Sequence, residues 1–370
     1  MRINCTAPAL IEGLQIAVKA LPSRTTNPVL DGILIEAIAD EVTLTCSDER
    51  MTIITRIDAQ ILEEGRGVVP GKLFNEVVRR LSDGDIDITM NDHFMFTVRG
   101  SGSRTNISGQ DPDLYPRLPI LDEDHEISLP QDMLKDMIQK TEFAIAAEDM
   151  REVLTGAYLE IQNGDVTMVG LDGFRMAVRR ARCSDMLEKC SAIIPGRAVS
   201  DIGKLLSDAP EAFASLSMGG GKLRIRLERT EIFVILIGGD YIQYRTIIPP
   251  QFNTRVTVDL APFQKAVDRA SLIAREGNNN LLVLKIAAGE MAIESRSEIG
   301  DVFEKLDVQQ DGGDMNIAFN VKYLTDVVRS IDADQITFNL NSAISPCIIT
   351  PVGDPDYLHL VLPVRTGATV

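Results

Sequence analysis

A chain of 370 residues is too long for one ordinary core and suits two or three domains of about 100–200 residues. With 45% hydrophobic and 25% charged residues it reads as a folded globular protein, which excludes disorder, collagen and a disulfide scaffold. A net charge of −17, from 54 Asp+Glu against 37 Lys+Arg, at first argues against nucleic acid, because phosphates are repelled by an acidic surface.

Taken in chain order, the predicted elements recur three times. The first set has a helix opened by Pro8, strands at 33–36 and 42–45 around the turn Ala39-Asp40-Glu41, then Val69-Pro70-Gly71-Lys72 leading into a second helix. The second has Pro130 before a helix, strands at 157–160 and 166–168 around Asn163-Gly164-Asp165, then Ile194-Pro195-Gly196-Arg197. The third has Pro262, strands at 282–285 and 291–294 around Ala288-Gly289-Glu290, then Phe319-Asn320-Val321-Lys322. Lys72, Arg197 and Lys322 are spaced 125 residues apart, and apolar residues follow each at matching offsets: Phe74, Val77, Leu81; Val199, Ile202, Leu206; Leu324, Val327, Ile331. Those offsets trace one face of an amphipathic helix. Each repeat reads β-α-β-β-β twice, an α+β fold, with domains at 1–125, 126–252 and 253–370.

The repeat changes the meaning of the charge. The six helical segments 8–20, 72–81, 130–141, 197–206, 262–275 and 321–331 hold 13 Lys+Arg against 7 Asp+Glu, leaving 24 against 47 elsewhere. In the second helix of every repeat a basic pair stands at i and i+7: Lys72 and Arg79, Arg197 and Lys204, Lys322 and Arg329. Seven residues is close to two turns, so each pair shares a face. One such face is ordinarily just solvated; three at one period point to a surface for a polyanion, held without reading its sequence.

Candidate chemistry is scarce. Met218-Gly219-Gly220-Gly221-Lys222 fails the phosphate-loop pattern and reads as a hairpin, and Gly100-Ser101-Gly102-Ser103 lacks the setting of a nucleophile elbow. His93, His125 and His359 stand isolated, and the carboxylate runs Asp48-Glu49, Asp122-Glu123-Asp124 and Asp354-Pro355-Asp356 read as solvated turns. Five cysteines (Cys5, Cys46, Cys183, Cys190, Cys347) without C-x-x-C suggest neither a metal site nor disulfides and fit a reducing cytoplasm. No secretory signal or membrane span is expected, and no cofactor, metal or catalytic constellation.

Four motifs carry a family resemblance over essentially the whole chain. Leu171-Asp172-Gly173-Phe174-Arg175-Met176 is similar to a T-D-G-H-R-L motif, and Met150-Arg151-Glu152-Val153-Leu154-Thr155-Gly156 to R-x-x-L-N-G. Phe319-Asn320-Val321-Lys322-Tyr323-Leu324 and the ending Leu360-Val361-Leu362-Pro363-Val364-Arg365 complete the set. Together they resemble the beta sliding clamps, processivity subunits of bacterial replicative DNA polymerases.

The resemblance implies three DNA-clamp domains per chain and a ring-shaped head-to-tail homodimer, its helices lining a channel around double-stranded DNA and its antiparallel sheets outside. It implies DNA contact by Arg24 beside Lys72, Arg79, Arg197, Lys204, Lys322 and Arg329, with Glu148 where a neutral residue is common. It implies a dimer interface with Leu272 and Ile273, and with Arg104 facing Glu298 or Glu304; Asn106 replaces a frequent aromatic. It also implies a pocket for short apolar peptides of the replicative polymerase, clamp loader and repair polymerases. That pocket comprises Arg151, Leu154, Leu171, Gly173, Phe174, Arg175, Met176, Ile247, Tyr323, Ile344, Leu360, Val361, Leu362, Pro363, Val364 and Arg365. Phe174, Leu171, Ile242, Thr246, Pro346 and the Thr366–Val370 extension depart from the family pattern, implying an altered peptide preference. Two other readings stay open: a clamp paralogue with specialised partners, and an enzyme with an unrecognised active site on a repeated α+β scaffold.

Overall fold

The computed structural model describes residues 1–81, 84–118, 121, 126–184, 189–277 and 280–365. His125, Asp122-Glu123-Asp124 and Thr366–Val370 lie outside the described residues. The first repeat runs β1 (Arg2–Thr6), α1 (Ala7–Ala17), β2 (Gly32–Ile38), β3 (Glu41–Ser47), β4 (Met51–Ile57), β5 (Ala59–Glu63), β6 (Gly65–Pro70), α2 (Gly71–Arg79), β7 (Asp85–Met90), β8 (Met95–Gly100), β9 (Ser103–Ser108). The second runs β10 (Glu126–Pro130), α3 (Gln131–Gln139), β11 (Gly156–Gln162), β12 (Asp165–Leu171), β13 (Arg175–Arg182), β14 (Cys190–Pro195), α4 (Gly196–Gly203), β15 (Phe213–Gly219), β16 (Lys222–Arg226), β17 (Thr230–Ile235). The third runs β18 (Thr254–Asp259), α5 (Leu260–Arg275), β19 (Leu281–Ala287), β20 (Glu290–Ser297), β21 (Gly300–Asp307), β22 (Gln309–Asp311), β23 (Met315–Asn320), α6 (Val321–Arg329), β24 (Gln335–Leu340), β25 (Cys347–Pro351), β26 (Tyr357–Val361). The doubled β-α-β-β-β order is present in all three repeats, with β5 and β22 as additions.

By contacts the chain divides into two compact units, residues 1–132 with 204–236 and residues 133–203 with 237–370, so the middle repeat contributes to both. The first unit holds a five-stranded sheet, β5-β1-β7-β8-β9, and an eight-stranded one, β10-β15-β16-β17-β4-β3-β2-β6. The second holds a nine-stranded sheet, β14-β11-β12-β13-β26-β25-β24-β18-β22, and a four-stranded one, β21-β20-β19-β23. In each unit the longer sheet joins strands of two repeats, at β17–β4 and at β13–β26.

Local chemistry explains the helix boundaries. The Thr6 hydroxyl accepts the Ala9 N–H and Pro8 sits in the first turn of α1, while the Asn320 side chain accepts the Lys322 N–H at 2.9 Å to open α6. Pro130 differs from expectation: it ends β10, and its missing N–H falls where the helical ladder has not begun. Pro262 is the third residue of α5. The buried stripe of α2 is Phe74 and Val78, with Val77 only half-buried, because 3.6 residues per turn favours the i+4 partner of Phe74. Gly203 lets α4 approach α3, since a Cβ there would stand 2.8 Å from Ile138 Cγ2. In the second unit the α5–α6 core centres on Phe263 and Phe338, edge to face at 5.2 Å.

Candidate partner and nucleic-acid surfaces

The sequence Asp172-Gly173-Phe174 turns β12 into β13. Gly173 lies at φ +87°, a conformation glycine adopts without a Cβ clash, and Asp172 Oδ1 accepts the N–H groups of Phe174 and Arg175, each at 2.9 Å. That turn leaves Phe174 59% exposed, stacked on Tyr323 with ring centroids 6.0 Å apart. Arg175, by contrast, is buried. Its Nε donates to Asp172 (3.0 Å), Nη1 to Asp326 (2.5 Å) and Nη2 to the Phe143 carbonyl (2.6 Å), and the guanidinium lies over the Tyr323 ring at 4.8 Å. Two carboxylates and a carbonyl thus match one buried cation, as a desolvated guanidinium requires.

A second arginine of β13 repeats the arrangement. Arg179 donates to Asp136 (2.8 Å) and Asp354 (2.6 Å) and stands over Tyr357. The Tyr357 hydroxyl donates to the Lys140 carbonyl at 2.9 Å and lies 2.7 Å from Ser330 Oγ. His359 is fully buried against Tyr357 and Phe143, and neither ring nitrogen has a hydrogen-bond partner. Burial, reinforced by nearby Lys140, lowers its pKa from 6.5 to about 3, so the imidazole is neutral at physiological pH.

Beyond β26 the chain stays beside this hairpin: the Leu362 N–H donates to the Phe174 carbonyl (2.9 Å) and the Val364 N–H to the Ala318 carbonyl (2.8 Å). The pocket residues implied by the resemblance sort by depth. Leu154, Leu171, Met176 and Leu360 are at most 6% exposed and belong to one core cluster, and buried Val361 belongs to the neighbouring one. Ile247, Tyr323, Leu362, Pro363 and Val364 are half-buried, whereas Arg151, Gly173, Phe174 and Arg365 are exposed. Arg151 reaches the hairpin, its Nη2 standing 3.3 Å from where a Gly173 Cβ would lie. Ile344, 64% exposed, occupies the turn between β24 and β25. The hairpin therefore presents an apolar and aromatic rim over a floor already used as core.

Of the basic candidates, Lys72, Arg197 and Lys322 are exposed and each is the second residue of its helix. Arg197 lies 3.7 Å from Asp201, and Arg329 pairs with Asp268 at 2.9 Å. Lys204 falls in the turn after α4, outside the helix where the pair at i and i+7 placed it. The charge bias of the helices also shrinks. Within the observed boundaries they hold 9 Lys+Arg against 7 Asp+Glu, because Lys19, Arg80, Lys140 and Lys204 lie just past helix ends. Cations there complement the helix dipole, which is a structural role. Arg24 is exposed in the segment after α1, as is Glu148 before β11.

The interface candidates present two sheet edges. β9, carrying exposed Arg104 and Asn106, ends the five-stranded sheet, and β21 ends the four-stranded one. Beside β21, Leu272, Ile299 and Phe303 are 65%, 71% and 56% exposed, and Ile273 is half-buried. Glu304 is already engaged, accepting from Nε and Nη2 of Arg269 at 2.5 and 2.8 Å, which leaves exposed Glu298 as the available carboxylate. Among the described residues no group of three metal-ligating side chains is found, and no helix is long and apolar enough to cross a membrane.

Comparison with known proteins covers the chain from end to end. Models of the DNA polymerase III beta subunit match residues 1–119 (N-terminal domain), 128–243 (central domain) and 245–365 (C-terminal domain). A protein named beta sliding clamp from Staphylococcus aureus is 34% identical over 368 residues, covering 96% of this chain and 97% of its own. The crystal structure of the DNA polymerase sliding clamp from Bacillus subtilis superposes with a TM-score of 0.95 at 31% identity, covering 99% of this chain and 100% of that one. A putative DNA polymerase III beta subunit from Eubacterium rectale gives 0.95 at 29% identity, with the same coverage.

Proposed function

The chain belongs to the family of bacterial beta sliding clamps, and from that membership we propose that it encircles double-stranded DNA as a head-to-tail dimer and tethers a replicative polymerase without catalysing a reaction itself. The observation that carries the DNA side is the placement of Lys72, Arg197 and Lys322. A cation in the first turn opposes the positive end of the helix dipole, at a cost of about 0.3–1 kcal/mol each, so helix stability does not account for three of them. A basic side chain beside free helical N–H groups is instead a seat for phosphate. Contacts of this kind are weak and indifferent to sequence, which lets a closed ring slide while closure prevents escape. The family resemblance adds Arg24, and exposed Arg79 and Arg329 stand at the last turns of α2 and α6 as further phosphate contacts. The three clamp domains are 1–125, 126–252 and 253–370.

Pairing of the β9 and β21 edges between copies, with Leu272, Ile273 and Phe303 covered and Arg104 facing Glu298, closes the ring. The Phe174–Tyr323 platform with Ile247, Ile344 and Leu362–Arg365 seats the short apolar peptides of polymerases, clamp loader and repair polymerases. A desolvated aromatic platform beside an aliphatic rim is the composition of an anchor site.

The test is retention on nicked circular DNA after loading. Reversing Lys72, Arg197 and Lys322 to Glu is expected to abolish retention while the solution mass stays that of a dimer, about 81 kDa for two chains of 40.6 kDa. Because Glu suits a helix N-terminus, lost retention cannot be ascribed to lost helices. Unchanged retention would sink the channel assignment, and a monomeric mass would sink the ring.

A further inference from the structure

The first helix of each repeat buries its stripe in the same register. Counted from Ala7, Gln131 and Leu260, the first residues of α1, α3 and α5, buried positions follow at three, six and seven. Position eight leaves the stripe, and there the repeats differ. Gln15 and Gln139 are exposed amides, whereas the third repeat carries the carboxylate Asp268. The far ends of the second helices are in register too: Arg79, Lys204 and Arg329 stand seven residues after Lys72, Arg197 and Lys322, with Lys204 already past its helix. In the third repeat the two positions meet. Arg329 Nη2 donates to Asp268 Oδ1 at 2.9 Å, tying α6 to α5. Arg79, the counterpart in the first repeat, has no ion pair among the described residues, and the residue matching Asp268 there is the uncharged Gln15.

Both arginines are exposed and close the last turn of their helices, so the helix dipole favours them equally. What separates them is the carboxylate. An exposed pair contributes little to folding, and stability therefore does not account for the acid. Its effect on a ligand is larger. A carboxylate in contact with a guanidinium cancels most of its field at a distance, and an arriving phosphate must displace the carboxylate to reach the nitrogens. We propose that Asp268 is a positioning residue for DNA: it holds Arg329 back from phosphate, so that the third repeat grips more weakly than the first and the ring slides with less drag. The inference rests on the DNA-encircling reading above and adds to it a graded grip, set by one acid in one repeat.

The experiment follows single fluorescently labelled rings, loaded by the clamp loader, as they diffuse on stretched duplex DNA with blocked ends. Asp268→Asn is expected to lower the diffusion coefficient about threefold in about 50 mM salt, the size of one exposed charge pair, and the difference is expected to vanish in about 0.5 M salt. Gln15→Asp, the converse change beside Arg79, should raise it. Two deletions assign the effect to Arg329: in the unaltered chain Arg329→Ala should change diffusion less than Arg79→Ala, and once Asp268 is Asn the two should count equally. A role for Asp268 in helix packing alone would produce neither the salt dependence nor that equalisation. If Asp268→Asn rings diffuse as unaltered ones do, or if their slowing persists at full size in the Arg329→Ala background, the graded grip is wrong and the DNA-encircling reading stands. If instead reversing Lys72, Arg197 and Lys322 leaves retention intact, that reading falls and this one with it.

Discussion

The joint between β4 and β17 and the joint between β13 and β26 are built on one plan and filled with different chemistry. Each joins strands of two repeats into one antiparallel sheet. At β4–β17 the partners are Ile53 with Ile232, Thr52 with Phe233 and Met51 with Val234, all at most 7% exposed, and the buried polar pair is Thr55 with Thr230, hydroxyl to hydroxyl at 2.9 Å. At β13–β26, Arg175 and Arg179 are each held between two carboxylates, and His359 is buried without a partner. Sheet continuity therefore needs no buried charge, since the Arg229–Asp58 pair at the end of the β4–β17 joint is exposed. The ionic joint is the one that carries Phe174 and the segment after β26, and the arginine clamps tie the β12–β13 turn to α6 and β13 to α3.

Breaking one clamp should give the largest effect. Arg175→Ala leaves Asp172 and Asp326 facing each other without a cation, and removing one partner of a buried pair typically costs about 3–5 kcal/mol. Urea unfolding followed by hydrogen exchange should show that loss in the amides of β13 and β26, with the amides of β4 and β17 unaffected. A loss spread evenly over both joints would mean that the clamps serve general stability.

Acid should separate the joints next. His359 takes a proton near pH 6.5 once unfolded and only near 3 when folded, so the second unit keeps its stability above pH 6.5 and loses it as pH falls toward 3. The slope is about 1.4 kcal/mol per unit, or about 2 kcal/mol by pH 5. His359→Phe, similar in shape and unable to titrate, should flatten that part of the unfolding profile, whereas the β4–β17 joint buries no imidazole to supply such a slope. An unchanged slope in the variant would show that the acid response comes from the carboxylates of the clamps. At the apolar joint the effects are smaller: Thr55→Val alone strands the Thr230 hydroxyl at about 1 kcal/mol, and the double change Thr55→Val, Thr230→Val should recover most of it.

The two joints were not equally legible in the sequence. The apolar one lies in the β-branched and aliphatic runs Met51–Ile57 and Thr230–Ile235, residue types that favour strands, and consecutive buried residues show that both faces of these strands are covered. Asp172-Gly173 stands out in the sequence only as part of a family motif, although its Asp-Gly step has the chemistry of the tight reversal found there. The clamps were not visible. Asp326 is one acid on an amphipathic helix, Asp136 and Asp354 lie 43 and 175 residues from Arg179, and no local period marks carboxylates brought together by sheet pairing. Charge was misjudged for a similar reason: Lys19, Arg80, Lys140 and Lys204 fit the helical pattern, yet the helices stop before them, and only the coordinates separate a cation that caps a helix from one that lines its face.

Phe174 tests whether the ionic joint exists for the platform it supports. Its ring is 59% exposed, so Phe174→Ala removes little buried area and should change stability by no more than about 0.5 kcal/mol, far less than Arg175→Ala one residue away. The same change deletes the partner of Tyr323 and should weaken an apolar-core peptide by about five- to tenfold, the scale of one aromatic contact. Arg175→Ala should weaken that peptide as well, through a displaced platform, so the ratio of binding loss to stability loss is high for Phe174 and low for Arg175. If Phe174→Ala instead cost as much stability as Arg175→Ala and left the peptide bound, the aromatic would be a part of the core, and the contrast between the two joints would lose its functional meaning.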